Sequence, residues 1–265
     1  METNVLIWVA AAVAGYLIGS ISFSRIIYAW QRPGESFPEM TVEIPGTEAV
    51  FRSNSSGATT IFDALGPKWG GITAVFDILK AVLPTLLMRL MYPDQLLFLL
   101  VGFFTIVGHI YPVYYGFRGG RGSSTISGVL LVLDWFGTLL TAVLGLVVGV
   151  LGGWVNTARW LGRIFMIPYV WFVYQEPWYV VFTVAANLLF FLSMRGEIRQ
   201  LAALKRQGAL PDQETIAELT GVGSLYRLSQ KISIPALLNS SRRNDGEPSQ
   251  RKDTNAESSD DIISG

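Results

Sequence analysis

The chain contains no cysteine and a single histidine, His109. The first absence excludes a disulfide framework, a thiolate nucleophile and any cysteine-ligated metal, and the second excludes a histidine-rich metal site, so neither a metal nor a cofactor is expected. Charge is scarce as well: Asp, Glu, Lys and Arg make up only 15% of the 265 residues, and the formal net charge is zero. Without a basic surplus there is no global field to draw a nucleic acid, and no such partner is expected. What the chain has in excess is apolar surface. With 51% hydrophobic residues and a mean hydropathy of +0.41, it carries more than a soluble domain of this size buries, and it reads as a polytopic membrane protein.

Residues 4–30 form the first long apolar run. They lack a basic start and exceed the core length of a signal peptide, so they read as an uncleaved span. Within it, Gly15, Gly19, Ser20 and Ser22 are small residues at a spacing that suits close helix packing. Residues 31–68 interrupt the pattern with Pro33, Gly34, Pro38, Pro45 and Gly46, and read as a sizeable loop, acidic in its first half and rich in serine and threonine in its second. The second span, 70–92, carries Asp77 and Lys80 at i, i+3, on one helix face, where they can pair with each other or with a ligand. A third span covers 95–115, a short fourth 126–133, a fifth 138–155, a sixth 160–174 and a seventh 178–194. Short spans are tolerated inside a bundle. The expected fold is therefore all-α, with seven transmembrane helices, some of them short, and cytoplasmic polar loops forming the site. The membrane unit is expected to end near residue 200. A short amphipathic segment, 201–238, follows, with a helix opening at Asp212 and weakened by Gly221 and Gly223; the polar tail, 239–265, is expected to be disordered.

Chemistry concentrates in residues 108–125, GHIYPVYYGFRGGRGSST. Gly119, Gly120 and Gly122 let successive backbone N–H groups converge, Arg121 supplies a planar fork of donors, and a helix opening at Ser123 aims its positive end at the same place. That combination suits a phosphate, although a basic turn between two membrane helices is the plainer reading of the same residues. The run RSNSSGATT, Arg52 to Thr60, offers a second dense set of hydroxyl and N–H donors. It fits an anionic ligand, and equally a flexible serine-rich linker. With the N-terminus outside and seven crossings, basic residues from Arg25 and Arg32 through Arg118, Arg121, Arg159 and Arg163 to Arg195 and Arg199 all fall on the cytoplasmic side. Arg89 alone lies opposite, which puts both polar loops in the cytoplasm.

These pieces, in this order, resemble the PlsY-type acyl-phosphate:glycerol-3-phosphate acyltransferases of bacterial membranes. The resemblance covers roughly residues 10–200. Tyr16 to Ile21 resembles the family's first-helix motif, and SNSSGATT is similar to its first cytoplasmic motif at Ser53, Gly57, Ala58 and Thr59. Leu65-Gly66, Asp77 and Lys80 fall where the family has its Leu-Gly and Asp-x-x-Lys residues. GHIYPVYYGFRGGRG resembles the second motif at Gly108, His109, Pro112, Phe117, Gly119, Gly120 and Gly122, and Asn187 resembles the third-motif asparagine. Departures fall at polar positions: Ser55-Ser56 for Gly-Asn, Thr60 for asparagine, Asp63 for arginine, Arg121 for the loop lysine and Phe190 for an arginine, with Arg195-Gly196-Glu197 approximating the terminal Gly-x-Glu.

The resemblance implies a multi-pass enzyme of the bacterial plasma membrane, N-terminus outside and C-terminus cytoplasmic, that transfers a fatty acyl group from acyl phosphate to glycerol-3-phosphate among membrane lipids. His109, Ser53 and Arg121 are then the candidate catalytic residues. Candidate substrate-binding residues are Arg52, Gly57, Thr59, Thr60, Lys80, Gly119, Gly120, Gly122, Ser123 and Asn187. Two other readings stand beside it: a diverged member that regulates or binds lipid intermediates, and a small transporter using Asp77 and Lys80. The topology has a direct check. A tag at the N-terminus should be labelled by an impermeant reagent outside intact cells and tags at residue 45 or after residue 240 should not; labelling at residue 45 would overturn the shared cytoplasmic site.

Overall fold

In a bilayer every backbone polar group must find its partner inside the protein, which forces long apolar runs into helices. The computed structural model describes residues 5–44, 50–53, 55–208, 213 and 223–235. Its helices are α1 (Val5–Gly19), α2 (Phe23–Gln31), α3 (Ala58–Leu65), α4 (Pro67–Met91), α5 (Leu97–Ile110), α6 (Ser123–Leu133), α7 (Trp135–Leu151), α8 (Val155–Tyr174), α9 (Pro177–Ser193), α10 (Arg195–Arg206) and α11 (Gly223–Ile232). Three apolar helical stretches are long enough to cross a membrane: 5–31 taken through its break, α4, and 97–115. The bent pair α9–α10 makes a fourth if counted as one span, and α6 and α7 are shorter apolar helices. The bundle buries Ile106, Ile126, Val129, Met166 and Ala186 between α5, α6, α8 and α9. Its outer faces present Leu83, Val143 and Phe172 instead, the inversion a lipid solvent requires.

The expectation of an all-α chain is corrected by an antiparallel hairpin, β1 (Met40–Glu43) with β2 (Val50–Ser53), in register Met40 opposite Ser53. It forms inside the stretch expected to be a loop, because Thr41, Val42, Val50 and Phe51 favour extended backbone. The same stretch also holds α3, so Ala58 to Thr60 are helical rather than linker. The first span is not one helix. It breaks at Ser20–Ser22, where the Ser20 hydroxyl donates to the Tyr16 carbonyl at 2.8 Å, an internal bond that competes with the helical ladder. Part of the expected amphipathic segment, 201–238, and all of the tail, 239–265, lie outside the described residues; among the described residues, α10 runs across residue 200 and α11 packs on α7 and α8.

Close helix contacts depend on glycine. A Cβ on Gly108 of α5 would sit 2.2 Å from the Tyr16 carbonyl oxygen of α1, and one on Gly15 would sit 2.6 Å from that of Val101. Arg89, in the last turn of α4, acts locally. It donates to the carbonyls of Val132 and Leu133, the latter at 3.0 Å, closing the C-terminus of α6. Asp134 then opens α7, accepting from the Gly137 N–H at 2.9 Å and the Tyr169 hydroxyl at 2.8 Å, so α7 starts three residues before the expected fifth span, on a capped helix start.

The same substitution should act with opposite sign at two glycines. Gly71 is in α4 with nothing within 4 Å of an added Cβ, so Gly71→Ala should stabilise by up to about 1 kcal/mol through helix propensity. Gly108→Ala should destabilise by about 1–3 kcal/mol, because backbone must move apart. Thermal unfolding in detergent reads both, and equal shifts would refute the glycine contact between α1 and α5.

Candidate functional site

The break between α1 and α2 leaves the Ile21 carbonyl without a helical partner, and Lys80 of α4 takes it at 2.7 Å. The same ammonium lies 2.9 Å from Asp77 Oδ1 and 2.9 Å from His109 Nδ1, in the last turn of α5. Only about 3% of the Asp77 and Lys80 side chains is exposed, so the pair is structural in its immediate effect: it neutralises two charges that the bundle could not otherwise hold. A lysine ammonium can only donate, so His109 Nδ1 accepts and the ring proton of neutral His109 sits on Nε2. Intramembrane Asp77 and Lys80, which suggested a transporter, therefore have each other and His109 as partners.

Beyond the imidazole lies the glycine-rich loop. The Gly120 N–H donates to the His109 carbonyl at 3.1 Å, and a Cβ at Gly120 would stand 2.2 Å from His109 Nε2, so no side chain fits there. Gly119 is equally closed, with the His109 carbonyl oxygen 2.1 Å from its Cβ position. Gly122 serves a different purpose, opening α6 with φ +85°, a conformation natural to glycine. The serine-rich segment is sewn to this loop: the Ser56 N–H donates to the Gly119 carbonyl at 3.0 Å, its hydroxyl to that of Arg118 at 3.3 Å, and Ser24 holds the Ser56 carbonyl at 3.1 Å. The two polar loops thus meet.

Two polar cavities flank their junction. The smaller, about 210 Å³, is walled by Gly57, Ala58 and Thr59 at the start of α3, by Arg121, Gly122, Ser123 and Ser124 at the start of α6, and by Asp77 and His109 behind. Two helix N-termini therefore open on it, each with backbone N–H groups unclaimed by its own first turn. The larger, about 500 Å³, carries Arg52, Arg118, Arg195 and Arg199 beside Gly119, Gly120 and Glu197. Arg121 borders both. Its Nε and Nη2 reach Glu197 Oε1 at 3.1 and 2.8 Å, and Nη2 also reaches the Ser53 hydroxyl at 3.2 Å, while Ser53 itself donates to Glu197. Among the described residues Nη1 has no hydrogen-bond partner.

Of the expected site residues, Gly57, Thr59, His109, Arg121, Gly122 and Ser123 line the smaller cavity, and Arg52, Gly119, Gly120 and Arg121 the larger. Ser53 is buried behind Arg121, Lys80 behind Asp77, and the Thr60 hydroxyl is turned to the Ser55 carbonyl. Asn187 lines neither cavity; its side chain donates to the carbonyls of Thr183 and Arg163 at 2.8 and 3.3 Å, tying α9 to α8. Phe190, three residues on, lies under the Arg163 guanidinium, 3.9 Å from the ring centroid. Glu197, Arg118, Arg195 and Arg199 were not among the expected site residues. Arg195 and Arg199 sit at i, i+4 just past an apolar helix, a pattern that marks a membrane face but not a cavity, and only the Gly-x-Glu likeness pointed to Glu197.

Comparison with known proteins gives one consistent result. The family model described as glycerol-3-phosphate acyltransferase matches residues 9–204. A glycerol-3-phosphate acyltransferase of Pseudomonas paraeruginosa is 28% identical over 198 residues, covering 75% of this chain and 97% of that protein. One of Methylococcus capsulatus is 28% identical over 70% of this chain and 88% of its own length. Another, of Hydrogenovibrio crunogenus, reaches 35% over 47% of this chain, and the match spans about half of that relative, 54%. Crystal structures of PlsY, an integral membrane glycerol 3-phosphate acyltransferase, in its glycerol 3-phosphate and lysophosphatidic acid forms, superpose with TM-scores of 0.60 and 0.59 at 23% identity. Each alignment covers 74% of this chain and 92% of the other. At that identity the match carries the fold.

The buried charge cluster predicts a double-mutant pattern. Lys80→Met alone should destabilise by about 3–5 kcal/mol, because it leaves Asp77 without its countercharge, whereas Asp77→Leu combined with Lys80→Met should recover most of the loss. Denaturant unfolding in detergent checks this, and a double variant as unstable as the single would show that the ion pair is not what Asp77 depends on.

Proposed function

The chain belongs to the glycerol-3-phosphate acyltransferase family, as a membrane enzyme of phospholipid biosynthesis, and from that premise we infer that it transfers an acyl group from acyl phosphate to glycerol-3-phosphate across the junction of the two polar cavities. The observation that carries this reading is that Arg121 borders both cavities. Two phosphate-bearing substrates can lie on either side of one cation, with their reacting ends brought together there. The smaller cavity suits the phosphate of the acyl donor, which the N-termini of α3 and α6 receive. The larger, with Arg52, Arg118, Arg195 and Arg199, suits the acceptor's phosphate. Glu197 fixes the fork by its Nε and Nη2 edge and leaves Nη1 for the ligand.

An acyl phosphate is already activated, so no covalent enzyme intermediate is needed. The acceptor hydroxyl oxygen attacks the carbonyl carbon, the bond from that carbon to the phosphate oxygen breaks, inorganic phosphate leaves and lysophosphatidic acid forms. The hydroxyl proton passes to the departing phosphate, the strongest base at hand, since His109 Nδ1 is taken by Lys80. His109 then serves as an Nε2–H donor toward the cavity and as the brace of the glycine loop, and backbone N–H groups at Gly122 to Ser124 stabilise the carbonyl oxygen as negative charge develops on it.

A topology accompanies this mechanism: seven crossings of a bacterial plasma membrane, N-terminus outside, both cavities at the cytoplasmic face. It is supported by the gathering of Arg52, Arg118, Arg195 and Arg199 around the larger cavity, with Arg89, among the described residues, at the C-terminal end of α4. Purified protein in lipid, given palmitoyl phosphate and glycerol-3-phosphate, should release inorganic phosphate and form lysophosphatidic acid. Arg121→Ala should lower kcat/KM by about 30- to 1,000-fold, equivalent to about 2–4 kcal/mol, and Arg121→Lys should retain far more. Equal rates in wild type and Arg121→Ala would remove Arg121 from the site.

A further inference from the structure

α11 lies beyond residues 9–204, the part of the chain that the family model matches, yet it is docked on the bundle, against α7 and α8. What it turns toward the bundle is small and polar. Ser229 is fully buried, and Ser233, directly after the helix, is 4% exposed, its hydroxyl 3.9 Å from the Cβ position at Gly153 in the turn between α7 and α8. The Ser229 hydroxyl donates to the Tyr226 carbonyl at 2.8 Å, so it enters the contact with its donor satisfied. Leu228 and Ile232 stay outside, 46% and 41% exposed. A helix docked on a soluble protein buries its leucines and isoleucines and shows its serines to water, so α11 is inverted in the same way as the outer faces of the bundle.

Helix periodicity sorts the remaining side chains. At roughly 100° per residue, Ser229 and Ser233 stand to one side of Leu228 and Ile232, and Arg227 and Lys231 stand the same angle to the other. Arg227 and Lys231 are both exposed, and α11 contains no acidic residue. One side of the helix therefore meets the bundle, the next is apolar and the third is basic. Its surroundings are those of a membrane surface. Exposed Leu151 ends α7, exposed Trp154 follows Gly153 in the turn that Ser233 meets, and Val147 and Val148 belong to the apolar outer face of α7. Tryptophan at such an end marks the boundary between hydrocarbon and headgroups. This end of the bundle is also the one with the polar cavities, because Ser123, which lines the smaller of them, shares a further cavity with Ala158 and Gly162 near the start of α8.

We propose that α11 lies in the membrane surface at the cavity-bearing end of the bundle, with Leu228 and Ile232 among the lipid acyl chains and Arg227 and Lys231 at the phosphates of anionic headgroups. Lipid is the occupant because it already covers the outer face of α7 beside α11, and because a basic helix without acidic residues gains at an anionic surface. Long Lys and Arg side chains reach the headgroup layer while their stems rest on apolar surface. This contact is independent of acyl transfer. Its consequence is local: negatively charged lipids are held beside the two polar cavities.

The chain has no cysteine, so Leu228→Cys and Gln230→Cys each carry a single nitroxide label, the second on another exposed side of α11. The full chain, one copy per lipid nanodisc, is measured without substrate in phosphatidylcholine, with and without phosphatidylglycerol. The ratio of collisions with oxygen to collisions with a water-soluble nickel chelate should be about fivefold higher for the Leu228 label than for the Gln230 label. Phosphatidylglycerol should raise the Leu228 ratio about twofold, and Arg227→Glu combined with Lys231→Glu should abolish the rise. Equal ratios at the two positions, or a Leu228 ratio indifferent to phosphatidylglycerol, overturn the proposal. So does shielding of the Leu228 label that appears only in discs holding two copies, which makes this face a contact between copies of the chain. Should a labelled variant not fold, hydrogen exchange of the unsubstituted chain decides: the amides of α11 should exchange about threefold more slowly once phosphatidylglycerol is present, and unchanged exchange refutes the lipid contact.

Discussion

Lys80 carries its charge into the bundle with about 3% of its side chain exposed, and an ammonium so placed must be surrounded by acceptors or the helix that carries it cannot stay there. The three acceptors come from three places in the chain: Asp77 one turn earlier, the Ile21 carbonyl at the break of the first apolar stretch, and His109 at the end of α5. Each of these in turn fixes something else. The break separates α2 from α1 within the first span. Asp77 and His109 form the back wall of the smaller cavity, and the His109 ring and carbonyl set the position of the glycine loop. One cation therefore couples the path of the first span to the shape of the site.

The glycine loop illustrates how little freedom remains once that wall is fixed. Gly119 and Gly120 are pressed against His109 at distances no Cβ tolerates, while Gly122 supplies the positive φ that starts α6. Ser56 then fastens the serine-rich segment to the same loop through backbone hydrogen bonds. The result is that α3 and α6, far apart along the chain, present their N-termini to one space. A cavity assembled in this way owes its positive character to backbone geometry first and to Arg121 second, which suits a chain with zero formal net charge.

Electrostatic organisation on the opposite side of Arg121 is of another kind. Arg52, Arg118, Arg195 and Arg199 are side-chain cations around an open cavity, with Glu197 holding the Arg121 fork in place. Two N–H donors held on one carboxylate oxygen restrict rotation of the guanidinium and give the remaining edge a fixed direction. Far from the site, Arg89 closes the last carbonyls of α6 and Asp134 caps α7, so the short helix α6 is held at its far end by side chains rather than by length. Half-length helices survive in a bilayer under that condition.

The sequence by itself determined the solvent and the class of chemistry. Its apolar runs fixed helices wherever the backbone had no water to turn to, and the spacing of Asp77 and Lys80 fixed a buried pair. The residues at 108–125 carried enough glycine and arginine, in order, to indicate an anion site. Tertiary structure alone decided the rest. The β1–β2 hairpin lies in a stretch broken by proline and glycine, and its four-residue strands are too short for their extended preference to stand out until they pair with each other. The break at Ser20–Ser22 lies within an unbroken apolar run and becomes visible only when Lys80 takes the Ile21 carbonyl. Glu197 came to border the larger cavity through the packing of α10, because which face of a helix meets a cavity is set by its neighbours and not by its own sequence.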